Sequence, residues 1–355
     1  MPVTFTIESG DITTFESDVV VLKYARSFHG ADEAVAMALS LKSPEGVDLE
    51  PSIGDYRYIN TEGTIGSLFA LFIGVDKVSK FRYEEITQFA ANAFAILAKE
   101  APDTRYVTMT MHGVSAGLDE VESLVSQFRG CMQAIQSGIV PYALERITII
   151  DKDRGRVVRL RQALQQYLAD ADYAASNDDF SGYVLAVPPK KQKDRSEDQV
   201  KSSRGLTADS ETLDGRVPKL ESEIKPHAFV AMPFKKEMDD VFYYGIQQPL
   251  HTTGLLCERV DQDAFTGGIM EYVRNRIETA AVIIAELTGA NPNVYLEVGY
   301  AWGKGRPTIL LARDEKELHF DVRGQRVLTY ERIKDLEESL SKELKQMILK
   351  GIVKP

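Results

Sequence analysis

The stretch Ala281–Ala312, AVIIAELTGANPNVYLEVGYAWGKGRPTILLA, reads as strand, turn, helix and strand in immediate succession. Its first seven residues form a continuous apolar run rich in β-branched side chains, as in a strand buried on both faces of a parallel sheet. The turn TGANPN follows, and a helix beginning after Asn293 aligns residues 294, 297, 298 and 301 on one face. Three of these are Val294, Val298 and Ala301, and the fourth is Glu297. A carboxylate beside a buried stripe costs free energy unless it is paired or employed. One reading pairs it with Arg276. The other gives it chemistry, because ligands of open α/β sheets sit beyond the carboxyl ends of the strands, where this turn lies.

The same grammar extends outward. Ala228–Met232 reads as a strand, followed by a helix with Met238, Val241, Phe242, Gly245 and Ile246 on one face. LLCERVD supplies the next strand. Gly267 and Gly268 lead into a helix with Ile269, Val273 and Ile277 inward, and Thr308–Arg313 closes the series. The expectation is a doubly wound, flavodoxin-like parallel sheet. Gly303–Gly305 reads as a helix C-terminus, where glycine accepts left-handed geometry.

FVAMPF (Phe229–Phe234), RVD (Arg259–Asp261), ELTGANPNVYLEVGYA and GRPTILL together resemble the nucleoside 2-deoxyribosyltransferase-like superfamily, itself similar in fold to TIR domains. The resemblance covers roughly the last third of the chain. It implies cleavage of an N-glycosidic bond, with Glu297 acting at the anomeric carbon of the sugar. A carboxylate suits that task, because departure of the base leaves an oxocarbenium-like sugar that an anion stabilises or traps. Water then gives hydrolysis, and another base gives transfer.

The other candidate substrate-binding residues each carry two readings. Met232, Pro233 and Phe234 form either a wall for a base or ordinary packing. Asp261 binds ribose or base, or caps a helix. Asn291 and Asn293 donate to sugar or phosphate, or serve as turn former and helix N-cap respectively, while Gly289 shapes the turn. Glu286 stands where the superfamily often has Asp. Tyr243 and Tyr244 read as packing residues.

The first part of the chain is a separate unit, in which VTFTIESGDITTFESDVVVLKYA, FALFIGV, RYVTMTMHGVSAGLDE and RITIIDKD carry strands. Ile86, Phe89, Ala90, Ala93, Phe94 and Leu97 mark one helix face, and Leu118, Val121, Leu124, Val125, Phe128, Met132 and Ile135 another. GDIT (Gly10–Thr13), HGADEA (His29–Ala34) and HGVSAGLDE (His112–Glu120) resemble a macro domain or the related leucyl aminopeptidase N-terminal domain, with a mixed sheet. That resemblance implies adenine contact at Asp11 and Ile12 and a diphosphate cradle at Gly113, Ser115 and Gly117. Leu22, Lys23, Tyr24 and Ala25 replace the family's asparagine-rich catalytic segment. Ligand binding is therefore expected in preference to removal of ADP-ribose.

The fold class is thus α/β, as two three-layer α/β domains. A macro-like nucleotide-sensing domain spans 1–187, a polar linker 188–225 and the second domain 226–355. The linker is mixed in charge and poor in large apolar residues. With 44% hydrophobic residues and no apolar run of membrane-spanning length, a membrane partner is not expected. A formal net charge of −11 disfavours nucleic acid but permits a nucleotide in a local pocket. Two cysteines in different units and no secretory leader fit a reducing cytoplasm, and no metal site is spaced for ligation.

The leading functional expectation is an N-glycosidase cleaving NAD or a related nucleotide, with NAD as substrate and no cofactor. A small-molecule nucleotide would act as activator on the macro-like domain, in a homo-oligomer, and the analogy of domain plan implies an antiphage setting. The enzymatic alternative is a nucleoside or nucleotide hydrolase or a 2-deoxyribosyltransferase. A third reading is a non-catalytic nucleotide-binding or self-association module.

Overall fold

A computed structural model describes residues 2–42, 48–169, 171, 174–176, 182–185, 225–260 and 269–355. The expected linker up to residue 224, Asp261, Gly267 and Gly268 lie outside the described residues.

The N-terminal half forms an eight-stranded mixed sheet in the order β3-β4-β2-β5-β6-β1-β8-β7. Its strands are β1 (Val3–Ser9), β2 (Ser17–Tyr24), β3 (Tyr56–Asn60), β4 (Ser67–Gly74), β5 (Tyr106–Thr110), β6 (Arg146–Asp151), β7 (Ala174–Ser176) and β8 (Gly182–Leu185). The five central strands run parallel, and β3, β7 and β8 are antiparallel. Helices α2 (Tyr83–Glu100), α3 (Glu120–Ser137) and α4 (Arg154–Tyr167) bury their apolar stripes on one face, and α1 (Ala31–Lys42) covers the other. The α2 stripe is buried as its 3.6-residue spacing demands. Helix α3 departs from a one-faced pattern, since Glu120, Glu122, Ser126 and Gln127 are buried as well. Glu122 pairs with Lys225 and Glu120 lies at the junction with the C-terminal half, while Gln127 donates to the Thr110 carbonyl at 3.1 Å inside its own half.

That half is a five-stranded parallel sheet in the order β10-β9-β11-β12-β13. The strands are β9 (His227–Ala231), β10 (Leu256–Glu258), β11 (Val282–Glu286), β12 (Thr308–Ala312) and β13 (Val327–Thr329). Numbered within the unit, the order is 2-1-3-4-5, the flavodoxin-like winding, with its switch point between β9 and β11. One face packs on α8 (Ile333–Leu349) and on a π-helical segment, Val241–Gln247, that continues into α5 (Gln248–Thr252). The other face packs on α6 (Ile269–Thr279) and α7 (Pro292–Gly303). Gly245 permits the approach of α8, because a Cβ there would stand 2.6 Å from Leu336 Cδ2.

The two halves are bonded together through two buried carboxylates. Glu258, 1% exposed, accepts from Arg276 at 2.6 Å in its own half and from Arg82 at 2.7 Å and Tyr83 at 3.0 Å across the junction. Asp119, also 1% exposed, caps α3 by accepting from Val121 and Glu122, and then accepts from the Cys257 N–H at 2.9 Å and the His251 ring. Such pairs are costly to desolvate and costlier to break.

Candidate functional site

Glu297 stands on the first turns of α7, half-buried, beside the buried Val294 and Val298. It lines a cleft of about 210 Å³ together with Met232, Pro233, Phe234, Asn291 and Asn293. This cleft opens at the carboxyl ends of β9 and β11, the switch point where the winding leaves a crevice. Six sequence-selected residues therefore converge on one site. The suggested partner Arg276 is not among them, since it is engaged by Glu258.

The turn that delivers α7 is built differently from the expectation in two respects. Helix α7 starts at Pro292, and Asn291 rather than Asn293 is its N-cap, its side chain accepting from the Asn293 N–H at 2.9 Å. Proline at the first helical position needs no N–H partner, so the cap falls at Asn291, two residues before the expected one. Gly289 and Ala290 both take left-handed backbone, φ +74° and +50°, which turns the chain from β11 into the helix. Gly289 shapes the turn and does not line the cleft.

Glu286 is fully buried at the end of β11, where it accepts from Thr288 and from the Tyr330 hydroxyl at 3.0 Å. Burial raises its pKa, against the pull of those hydrogen bonds. Because it points to Tyr330, it braces the turn and is absent from the lining of the cleft.

Near this cleft, Arg259 lies with its guanidinium 4.4 Å from the Phe234 ring centre and 3.9 Å from that of Phe242. Phe234 is thus held on the wall by a cation–π sandwich rather than by loop packing alone. Tyr243 likewise lies under Arg159 of α4, 3.4 Å from centroid to guanidinium carbon.

A second cleft, of about 400 Å³, lies at the carboxyl ends of β1, β2, β5 and β6 in the N-terminal half. Ile12 and Ser115 line it, together with Gly10, Lys23, Lys152 and Arg156. Asp11 does not. Its carboxylate accepts from the Thr13 hydroxyl and N–H, which with Lys152 at 3.0 Å lowers its pKa to about 2. It organises the turn that presents Gly10 and Ile12. Lys23, one of the residues in place of the asparagine-rich segment, pairs with the buried Asp32.

The expected cradle loop is split in its contacts. Gly113 and Gly117 take φ of +85° and +84°, and between them Val114 and Ser115 face the cleft. Gly117 faces the C-terminal half instead: a Cβ there would stand 2.8 Å from the Arg259 carbonyl oxygen and the Val260 Cα. His112 lies fully buried between Phe81 and Phe89, and burial holds its pKa well below the usual range, so it is a neutral core residue.

A cavity of about 680 Å³, larger than either cleft, lies at the opposite, amino ends of β9 and β10. Its charges are consumed in pairs, Arg82 and Arg276 on Glu258, and Arg129 and Lys225 on Glu122. Among the described residues no cluster of side chains is arranged to hold a metal ion, and no helix is long and apolar enough to cross a membrane. Both cysteines are free and buried.

No family model matches the chain, and no curated protein does. Among solved structures it is similar, over its N-terminal half, to a mutant form of an Oceanobacillus iheyensis macrodomain. Identity is 13%, with 46% of this chain and 92% of that one covered, at a TM-score of 0.37. A Trypanosoma brucei macrodomain in complex with ADP-ribose shares 11% identity over 45% of this chain and 68% of its own, at a TM-score of 0.35. TM-scores this low leave the ligand of the cleft to the residues that line it.

Proposed function

We propose that the C-terminal half is an N-glycosidase acting on NAD or a related nucleotide, and that the N-terminal cleft holds a nucleotide on which turnover depends. The observation that carries this reading is the seat of Glu297, a half-buried carboxylate in a cleft at the switch point, facing an aromatic and thioether wall and two asparagines. The base lies against Phe234 and Met232, and the sugar presents its anomeric carbon to Glu297. As the C1′–N bond breaks, its electron pair leaves with the base. The Glu297 oxygen stabilises the resulting cation or bonds to C1′, and water then adds its hydroxyl to C1′ and releases a proton.

A pyridinium base departs neutral from a cationic centre, so it needs no acid to protonate it. That agrees with the single carboxylate lining the cleft among the described residues. An ordinary nucleobase needs a proton donor, and Glu286, whose pKa burial raises, is turned toward Tyr330. Pyridinium nucleotides are therefore favoured over neutral nucleosides. The test is chromatography of NAD, NMN, CMP and deoxynucleosides after incubation with wild type and Glu297→Gln. Nicotinamide released by wild type alone supports the reading, and equal release by both proteins removes Glu297 from it.

A further inference from the structure

The two clefts are not isolated from each other. A third cavity of about 290 Å³ lies between them, at the junction of the halves. It shares Val114, Ser115 and Arg156 with the N-terminal cleft and Phe234 with the Glu297 cleft. Shared walls thus set the three spaces in series along a path from Ile12 to Glu297. We propose that this path is a single site for one dinucleotide, with the scissile base and ribose at Glu297, the diphosphate in the junction and the second nucleoside in the N-terminal cleft. The proposal rests on the glycosidase reading for the identity of the reacting end, and it replaces a separate nucleotide in the N-terminal cleft with the far half of the substrate itself.

Size argues for it. Sites that enclose a small molecule run to roughly 300–1,000 Å³, and the Glu297 cleft, about 210 Å³, has room for a base and its sugar only. The remainder of a dinucleotide must lie outside it, and the adjoining space is the junction. Chemistry changes along the path in the same order. The Glu297 end offers a carboxylate, amides, an aromatic wall and one lysine, Lys235. The junction offers two guanidinium groups, Arg156 and Arg259, beside one carboxylate, Glu120. Arg159 pairs with Glu120 at 2.7 Å, and Arg156, paired with Asp151 at 2.9 Å and with Glu120 at 3.4 Å, keeps a buried Nε without a hydrogen-bond partner. Guanidinium forks match phosphate oxygens.

The frame also favours one ligand over two. A nucleotide acting as a remote activator needs an element with two arrangements. Here the loop between the clefts is bonded to the far half, Arg259 N–H to Gly117 carbonyl at 3.1 Å, with buried ion pairs flanking it. Fixed spacing suits an extended ligand.

Calorimetric titration of full-length Glu297→Gln with NAD, ADP-ribose and NMN tests this. The expected result is one NAD per chain, displaced by ADP-ribose, and bound at least about tenfold more tightly than NMN. Ser115→Trp, which places a ring in the middle of the path, then brings NAD affinity down to that of NMN. Two NAD per chain, ADP-ribose binding alongside NAD, equal affinity for NAD and NMN, or no NAD binding overturns the proposal. Base release by wild type is read separately. A chain that binds one NAD in competition with ADP-ribose yet releases no base keeps the spanning site and loses the glycosidase.

Discussion

The Arg259 N–H donates to the carbonyl of Gly117 at 3.1 Å, so the loop expected to cradle a ligand in the N-terminal half is bonded to a strand end of the other half. Gly117 holds φ at +84°, and any Cβ would meet the Arg259 carbonyl oxygen at 2.8 Å. Gly117→Ala therefore loses stability twice, from left-handed backbone and from the displaced contact, by about 2–4 kcal/mol in all. Gly138→Ala is the control: its φ is +70° but no atom lies within 4 Å of a Cβ there, so it costs only about 1–2 kcal/mol. Urea denaturation of the two variants measures the difference, and equal losses would show that the contact contributes nothing.

Glu258 gathers Arg82, Arg276 and Tyr83 around one buried carboxylate. Removing it by Glu258→Ala strands two guanidinium groups, and a loss of roughly 3–5 kcal/mol is expected. Thermal unfolding reads this directly. A shift within the scatter of surface substitutions would mean that water reaches these groups.

Asp119 and His251 make stability depend on pH. Burial alone would lower the His251 pKa, but the charge and hydrogen bond of Asp119 outweigh it and raise the pKa above the ordinary 6.5. Asp119 is held below 3.8, since its partners outweigh its burial. A raised histidine contributes stability that is complete below its unfolded pKa and lost as pH rises through the folded one. A lowered carboxyl contributes stability that is present above its unfolded pKa and lost as pH falls through the folded one. The pair is thus at full strength between about pH 4 and 6.5 and weakens above neutrality. Denaturation midpoints across pH 5–9 should fall on the alkaline side in wild type and flatten in His251→Gln.

Glu297 and Asn291 separate chemistry from architecture within one helix turn. Glu297→Gln keeps the shape of the side chain, so folding is expected to change little while base release falls about 10²-fold or more. Asn291→Ala removes the cap of α7 and costs about 1 kcal/mol of stability with a smaller loss of turnover. Paired kinetics and melting curves decide it, and a reversed ranking would make Glu297 structural.

Much of this fold was legible because its strands are buried on both faces and its helices on one. The apolar run at Val282–Glu286 and the stripe Val294, Val298, Ala301 fall where their periods put them. The five-residue face Met238, Val241, Phe242, Gly245 and Ile246 is buried as read, although a π-helical segment carries most of it. Short β13 and the closing α8 were not singled out by motif. The convergence of Glu297 with Phe234 and Asn291 was legible too, because a parallel sheet gathers its strand ends.

The junction was not legible. Asp119 and Glu120 end the HGVSAGLDE motif, and the structure makes them the N-cap and first residue of α3. Their second partners, His251 and Cys257 for Asp119, and Arg156 and Arg159 for Glu120, are brought by packing across long separations that no local pattern encodes. Arg259 and Tyr272 were passed over for the same reason. A buried acid at position 258, ending an apolar strand, was the one visible signal.

Glu258, Asp119 and the Gly117 carbonyl bind the halves to each other at positions remote in sequence from the segment that joins them, so their association does not rest on continuity of the chain alone. Two polypeptides, one ending near residue 185 and the other beginning near 225, would be expected to co-purify as a complementing pair when expressed together. Division of the gene at that point would then preserve the molecule, and two adjacent reading frames could encode what is here a single chain.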